Sequence, residues 1–352
     1  MKLPLSILVY GALVLGTLEM AARLDDAINE GAPMWKPYTI GSVFQPSPFG
    51  REGKPHARFG KWSMNEWGYR GPSPQPGRIN VLTFGASETF GIYESPGLEY
   101  PRVLEARLNK AAQGDRYNVI NLALPGVRIG RWGYLERGIR QFQASAVVIY
   151  PSPANYIGSV KPLCNEPSSP VPDSLGLKDR FRLSGKLEQL GKKHLPPSLM
   201  TMWREHDIAQ SVKGQTVMDT VPQSSIDAFR TDLACAANAA QKAGAKVVLV
   251  THATYFGASL NSADMPMMVA WRRFYPELKE AGFLDLEARA NQVIRELARD
   301  MQLELVEADH GIPPGKKYFA DFVHFTNDGA SRMADLLTPH VLNATRPHVT
   351  RP

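Results

Sequence analysis

The chain has 352 residues, 43% of them apolar, enough to bury a substantial core and to exclude a small stapled or disordered protein. Forty Lys and Arg against 34 Asp and Glu leave a net charge of +6, which suits a surface facing anionic lipid or acidic glycan. No reading motif for bases accompanies that charge, so nucleic acid is excluded as a partner.

Residues Leu3 to Ala22 are apolar apart from small polar residues and Glu19, and reach the length of a membrane-spanning helix. A cleavage site after Ala21 or Ala22 would put Glu19 or Met20 at the −3 position, so residues 1–23 are expected to stay as a transmembrane anchor. Lys2 and the amino terminus outweigh Arg23 on the other side, which places the bulk outside the cytoplasm, periplasmic or otherwise extracytoplasmic. Such a compartment permits Cys164 and Cys235 to pair, with two unpaired thiols as the alternative.

Residues 24–78 are rich in Pro, Gly and aromatics with little periodicity, and read as a juxtamembrane extension over the main domain. Within it Asn65-Glu66-Trp67-Gly68-Tyr69-Arg70-Gly71-Pro72 suits a tight turn that either presents Arg70 or packs Trp67 and Tyr69 on the domain.

From Arg78 onward, short β-branched runs alternate with amphipathic segments. Strands are expected over 79–84, 117–122, 146–150, 246–251 and 303–307. Helices are expected over 100–112, 132–143, 225–243, 284–301 and 328–342. This alternation predicts one α/β domain over 79–342, a doubly wound, flavodoxin-like sheet of five parallel strands. Insertions at about 157–223 and 253–282 break the rhythm. The first carries the proline cluster 167–172 and basic residues from Lys178 to His194, and the second Trp271, Phe274 and Tyr275. Both follow strand ends and are placed to wall a crevice. Residues 343–352 form a tail.

In such sheets ligands bind at the carboxyl ends of the strands, and four segments emerge there. Phe84-Gly85-Ala86-Ser87-Glu88-Thr89-Phe90-Gly91 puts a serine on a strand-to-helix turn, which exposes its oxygen and aims backbone N–H groups at a developing oxyanion. Gly126 follows the second strand and Asn155 the third, each a candidate donor to that oxyanion. Asp321 and His324, three residues apart before the last helix, suit a carboxylate that orients an imidazole base. The chain has no His-Glu-x-x-His, Cys cluster or glycine-rich phosphate loop, so neither metal nor organic cofactor is expected.

The ordered set Gly-x-Ser-x-Thr-x-Gly, Gly126, Asn155 and Asp-x-x-His resembles the SGNH (GDSL-type) hydrolases, over roughly residues 79 to 342. The resemblance implies Ser87 as nucleophile, Ser87, Gly126 and Asn155 as oxyanion hole, and Asp321 and His324 as carboxylate and base. Residues 65–72 also resemble a feature of envelope-anchored members. Two departures stand out: Ala86 where many relatives have Asp, and Pro153-Ala154-Asn155-Tyr156 where the third block usually reads Gly-x-Asn-Asp. The expected function is a membrane-anchored serine esterase or O-acyltransferase acting on an acyl ester, an O-acetylated envelope glycan first among them. The rival is a noncatalytic scaffold subunit of a membrane complex.

Overall fold

In the computed structural model, which describes residues 5–165, 170, 176–214 and 216–346, the chain begins with helix α1 (Leu5–Glu30). Leu5, Ile7, Leu8, Leu13, Val14 and Leu15 are exposed on it, and it is long and apolar enough to cross a membrane. The helix does not stop at residue 23, where the apolar stretch ends, but runs a further two turns. Those turns are held by ions rather than by lipid-like side chains: Arg182 pairs with Asp26 at 2.8 Å and Lys186 with Asp25 and Asp26 at 2.6 Å.

The extension is more ordered than its aperiodic sequence suggests. It folds into two antiparallel hairpins, β1 (Phe44–Ser47) with β2 (Gly50–Gly53) and β3 (Arg58–Phe59) with β4 (Trp62–Ser63). Asn65 then closes an Asx turn, its Oδ1 accepting the N–H of Trp67 and of Tyr69 at 3.0 Å each. Gly68, at φ 78°, lies so close to Gly53 that a Cβ on either would fall about 2 Å from the other's carbonyl oxygen.

The main domain follows as β5 (Ile79–Gly85), α2 (Ser87–Phe90), α3 (Tyr100–Ala111), β6 (Tyr117–Asn121), α4 (Trp132–Phe142) and β7 (Ala146–Tyr150). The first insertion supplies α5 (Arg182–His194) and α6 (Pro197–Ser211), before α7 (Gln223–Lys242) and β8 (Lys246–Val250). The second supplies α8 (Met265–Arg272), before α9 (Glu280–Asp300), β9 (Glu304–Val306), α10 (Ala308–Gly311) and α11 (Asn327–Ala344). The proline cluster over 167–172, apart from residue 170, and the end of the tail beyond 346 lie outside the described residues.

The sheet runs β6-β5-β7-β8-β9, all parallel. That is the flavodoxin-like order, two strands to one side of a central switch point and the rest to the other. Successive side chains leave opposite faces, which is why the strands read as unbroken apolar runs. Leu82, Phe84, Val147, Ile149, Val247 and Leu249 pack against α4, α7 and α9. Val81, Val148, Val248 and Val250 pack against α3 and α11, through Leu104, Leu108, Met333 and Leu337. Each such side chain contributes about 1.5–3 kcal/mol by leaving water, so both faces are closed. Only the strand ends and their loops remain for chemistry.

Cys164 and Cys235 form a disulfide with Cα atoms 6.3 Å apart, tying the start of the first insertion to α7.

Candidate functional site

Ser87 opens α2 directly beyond β5, at the switch point of the sheet. The turn is tight because its glycines permit it. A Cβ on Gly85 would lie 2.2 Å from Thr89 Oγ1 and 2.6 Å from the Tyr150 carbonyl oxygen, and Gly91 ends the helix in the left-handed region at φ 83°. Gly85 therefore serves close packing rather than an unusual backbone angle. Ala86 is buried, and a carboxylate in its place would have to be desolvated.

The segment over 65–72 braces this turn from below. Arg70 is buried and donates to the carbonyl oxygens of Phe90 and Gly91, the unpaired acceptors at the end of α2. Its guanidinium lies 5.0 Å from the Phe90 ring centre and 3.6 Å from Glu99. Tyr69 is buried against Tyr134 and Phe142, and Trp67 meets the edge of Phe142. The segment therefore packs on the domain, and Arg70 is turned inward rather than presented. The first hairpin reaches a neighbouring loop, where Arg51 donates to the Pro125 carbonyl beside Gly126.

Gly126 sits at φ 72° in the loop after β6, with open space where a Cβ would be. Asn155 lies on a 3-10 turn, Pro153–Tyr156, after β7. Proline fits the first position of that turn because no N–H is required there, so the departure at Pro153 still leaves Asn155 beside the Gly126 loop. Its Nδ2 donates to the Val127 carbonyl at 2.9 Å. Both pieces share one buried node, Asp232, which accepts from Tyr156 Oη at 3.0 Å, Arg128 at 3.2 Å and the N–H of Cys164 at 3.0 Å.

Asp321 and His324 come together in the loop before α11. Nδ1 of His324 lies 2.8 Å from Asp321 Oδ2, and the same carboxylate accepts the N–H groups of Val323 and His324. Burial alone would raise the Asp321 pKa, but these bonds hold it below the usual carboxylate value. Burial would likewise depress His324. The Asp321 bond and the charges of Glu88 and Glu94 outweigh it and raise the imidazole above its ordinary 6.5. The loop after α2 lies against this pair: the Tyr93 ring centre is 5.5 Å from that of His324, and Ser95 N–H donates to Asn327 at 2.9 Å.

The expected bond between nucleophile and base is not formed. His324 Nε2 is buried without a hydrogen-bond partner. The Ser87 hydroxyl donates instead to Glu88 Oε2 at 3.2 Å. Sequence reasoning passed over Glu88, and with it His252 and Glu287. All three are buried: His252 Nε2 is 3.4 Å from Glu88 Oε1 and its Nδ1 is 2.7 Å from Glu287 Oε2. Burial favours a neutral Glu88, but the His252 hydrogen bond overcomes it and lowers the carboxyl to about 2. Burial pulls His252 down, yet Glu287 and Glu88 push it up to about 10. A signal existed, since His252 follows β8 at the same strand ends as the other site residues. Glu94 was passed over too. It is buried, its Oε1 has no partner, and burial raises it to about 7.

The second insertion reaches the rim. Phe274, largely exposed, packs 5.8 Å from Phe322, which lies 6.4 Å from His324. Helix α6 stands behind it, with Arg273 over the Trp203 ring at 4.2 Å. Among the described residues no group of three or more His, Cys, Asp or Glu could hold a metal ion.

No family model and no curated protein matches this chain. Similar solved structures include an acetyl xylan esterase, at 17% identity and TM-score 0.43 over 75% of this chain and 100% of that one. A GDSL-like lipase from Bacteroides thetaiotaomicron is similar at 16% identity and TM-score 0.41, over 77% and 91%. A lipase/acylhydrolase from Enterococcus faecalis is similar at 16% identity and TM-score 0.42, over 76% and 98%. The chemistry of the site rests on its own side chains.

Proposed function

We propose that this chain is a membrane-anchored serine esterase or O-acyltransferase of the SGNH (GDSL) type, acting through an acyl-Ser87 intermediate. The observation that supports the reading is His324, fixed through Nδ1 by Asp321, with a buried and unpartnered Nε2 and close enough to Glu88, the neighbour of Ser87, to feel its charge. Catalytic hydrogen bonds are often long or absent before substrate binds, so the bond from Ser87 Oγ to Nε2 is the one that substrate must bring about.

In the first half-reaction Nε2 of His324 takes the hydroxyl proton as Ser87 Oγ bonds to the carbonyl carbon. The carbonyl electrons move to oxygen, where the Ser87 N–H, the Gly126 N–H and the Asn155 amide donate. Collapse breaks the bond to the alcohol, which leaves with the proton from His324. Water, or an acceptor hydroxyl, then repeats the sequence in reverse and frees Ser87. His324 is a base only when deprotonated, and its pKa lies above 6.5. The rate should therefore rise through a limb displaced to the alkaline side of an ordinary histidine.

An O-acetylated envelope glycan is the substrate class favoured here. Tyr93, Phe274 and Phe322 form an aromatic rim suited to sugar faces. Periplasmic exposure is supported by the disulfide, which persists in oxidising compartments, and by α1 as the anchor. Partners beyond the bilayer and the ester would dock through α1 and the extension.

The bond from Ser87 to Glu88 favours one competing reading, a noncatalytic scaffold whose serine is permanently engaged. Covalent labelling separates the two. A fluorophosphonate probe should modify Ser87 in the full chain, fail with Ser87→Ala and His324→Ala, and react about 100- to 1,000-fold more slowly with Asn155→Ala, which removes one oxyanion donor. Absence of label in the wild type would leave the scaffold. A panel of acyl esters with and without an added alcohol would then divide hydrolysis from transfer.

A further inference from the structure

The hydroxyl of Ser87 meets the carboxylate of the very next residue, and that carboxylate is the inner end of a buried file of three ionisable groups. We propose that Glu88 is the resting partner of the nucleophile, holding its hydroxyl off His324 until substrate binds, and that His252 and Glu287 are positioning residues that keep Glu88 in place. This rests on the reading of Ser87 and His324 as nucleophile and base.

The geometry is specific. Glu88 Oε2 faces Ser87 Oγ at 3.2 Å, while Oε1 faces His252 Nε2 at 3.4 Å. His252 is fixed in both ring and backbone. Glu287 holds ring Nδ1 at 2.7 Å and Tyr150 stacks on the ring with centres 5.4 Å apart, while Asn291 accepts the backbone N–H of His252 at 2.6 Å and donates to its backbone carbonyl at 2.9 Å. Two carboxylates sharing one imidazole leave the file with one net negative charge once His252 is protonated, since burial disfavours His252⁺ but both carboxylates overcome that and raise it to about 10. A buried file so completely clamped has no evident need of an ionised residue beside a nucleophile; apolar packing would serve stability as well or better.

The charge acts on the base. His324 is faced by Asp321, Glu88 and Glu94, and by Tyr93 from the loop after α2. Glu88 is faced by His252 and His324, with the buried Tyr100 and Tyr150 and the half-buried Tyr275 around it. A carboxylate near an imidazole favours the protonated ring. Glu88 therefore shifts the onset of activity to higher pH and steadies the imidazolium that forms once Ser87 has given up its proton.

The test is the second-order rate of fluorophosphonate labelling at Ser87 in the full chain, followed from pH 5 to 10. Glu88→Gln should move the acidic limb to lower pH by about one unit, and Glu287→Gln should move it the same way by less, with Glu287→Asp restoring it. A merely structural role would scale the rate at every pH and leave the limb where it was, which would overturn the proposal. If Glu88→Gln fails to fold by circular dichroism, the two Glu287 variants decide the matter by the same shift or its absence. Wild-type chain without label at Ser87 would remove the underlying reading instead, and this proposal with it. Wild-type label with superimposable limbs in all variants would remove only the role of Glu88.

Discussion

His252 has two carboxylate partners and no water-facing side, and that makes it a measurable object. Its pKa, raised from 6.5 to about 10 by Glu287 and Glu88 against its own burial, means the folded state binds a proton the unfolded state releases above neutrality. The stability so contributed is complete below about pH 6.5 and is lost as pH rises through about 10. Glu88 works at the other end: lowered to about 2, it contributes in full above about pH 4.5 and fails as pH falls through about 2. Urea midpoints should therefore decline from pH 7 to 10, and nitrogen-15 histidine spectra at pH 8 should show one imidazolium that persists. A neutral His252 ring at pH 8 would mean that the two carboxylates do not outweigh its burial. The place of His252 after β8 was readable in the sequence, but its partners were not. Glu88 and His252 are 164 positions apart, and a lone histidine after a strand carries no mark of the acids that surround it. The places of Ser87, Gly126, Asn155, Asp321 and His324 in the fold were legible because each sits where a strand ends or the last helix begins, and strand ends follow from apolar runs.

At the scale of elements, the decisive contact is between the segment over 65–72 and α2. Arg70→Ala would strip a charge and its donors from two carbonyls and from Glu99, all buried, and should cost about 3–5 kcal/mol. Arg70→Lys should recover only part, since a single ammonium cannot reproduce the guanidinium's fork. Urea unfolding measures the first quantity, and the labelling rate of Ser87 tells whether the turn has also shifted. Stability unchanged in Arg70→Ala would deny the segment its bracing role. The five strands and their flanking helices were readable from periodicity to within a few residues, since each element's own side chains decide which face is buried. The hairpins over 44–63 were not. Their strands are only two to four residues long, and the close approach of Gly53 to Gly68, which seats the first hairpin on the Asn65 turn, follows no periodic pattern. Helix α1 ran past its expected end for a related reason: its last turns are held by Arg182 and Lys186, residues of a distant insertion.

For the molecule as a whole, the order β6-β5-β7-β8-β9 assembles a site from loops scattered along the chain, so its precision depends on whatever keeps those loops in register. The disulfide is one such device. Cys164 and Cys235 are 71 residues apart, and in the chain-entropy account a loop of that size stabilises by about 4 kcal/mol. Cys164→Ser with Cys235→Ser should lower the urea midpoint accordingly. It should also loosen the Asn155 turn, because the N–H of Cys164 and Tyr156 both bond to Asp232. A midpoint equal to wild type would mean the bridge stabilises nothing.

The bolt that Arg70 drives under the Ser87 turn has a practical corollary. A recombinant fragment trimmed to the sheet, starting near Arg78, would retain Ser87, Gly126, Asn155, Asp321 and His324 and still arrive with its serine turn unsupported. Silence from such a fragment would report on where the gene was cut, and a shortened version should keep everything downstream of the apolar part of α1.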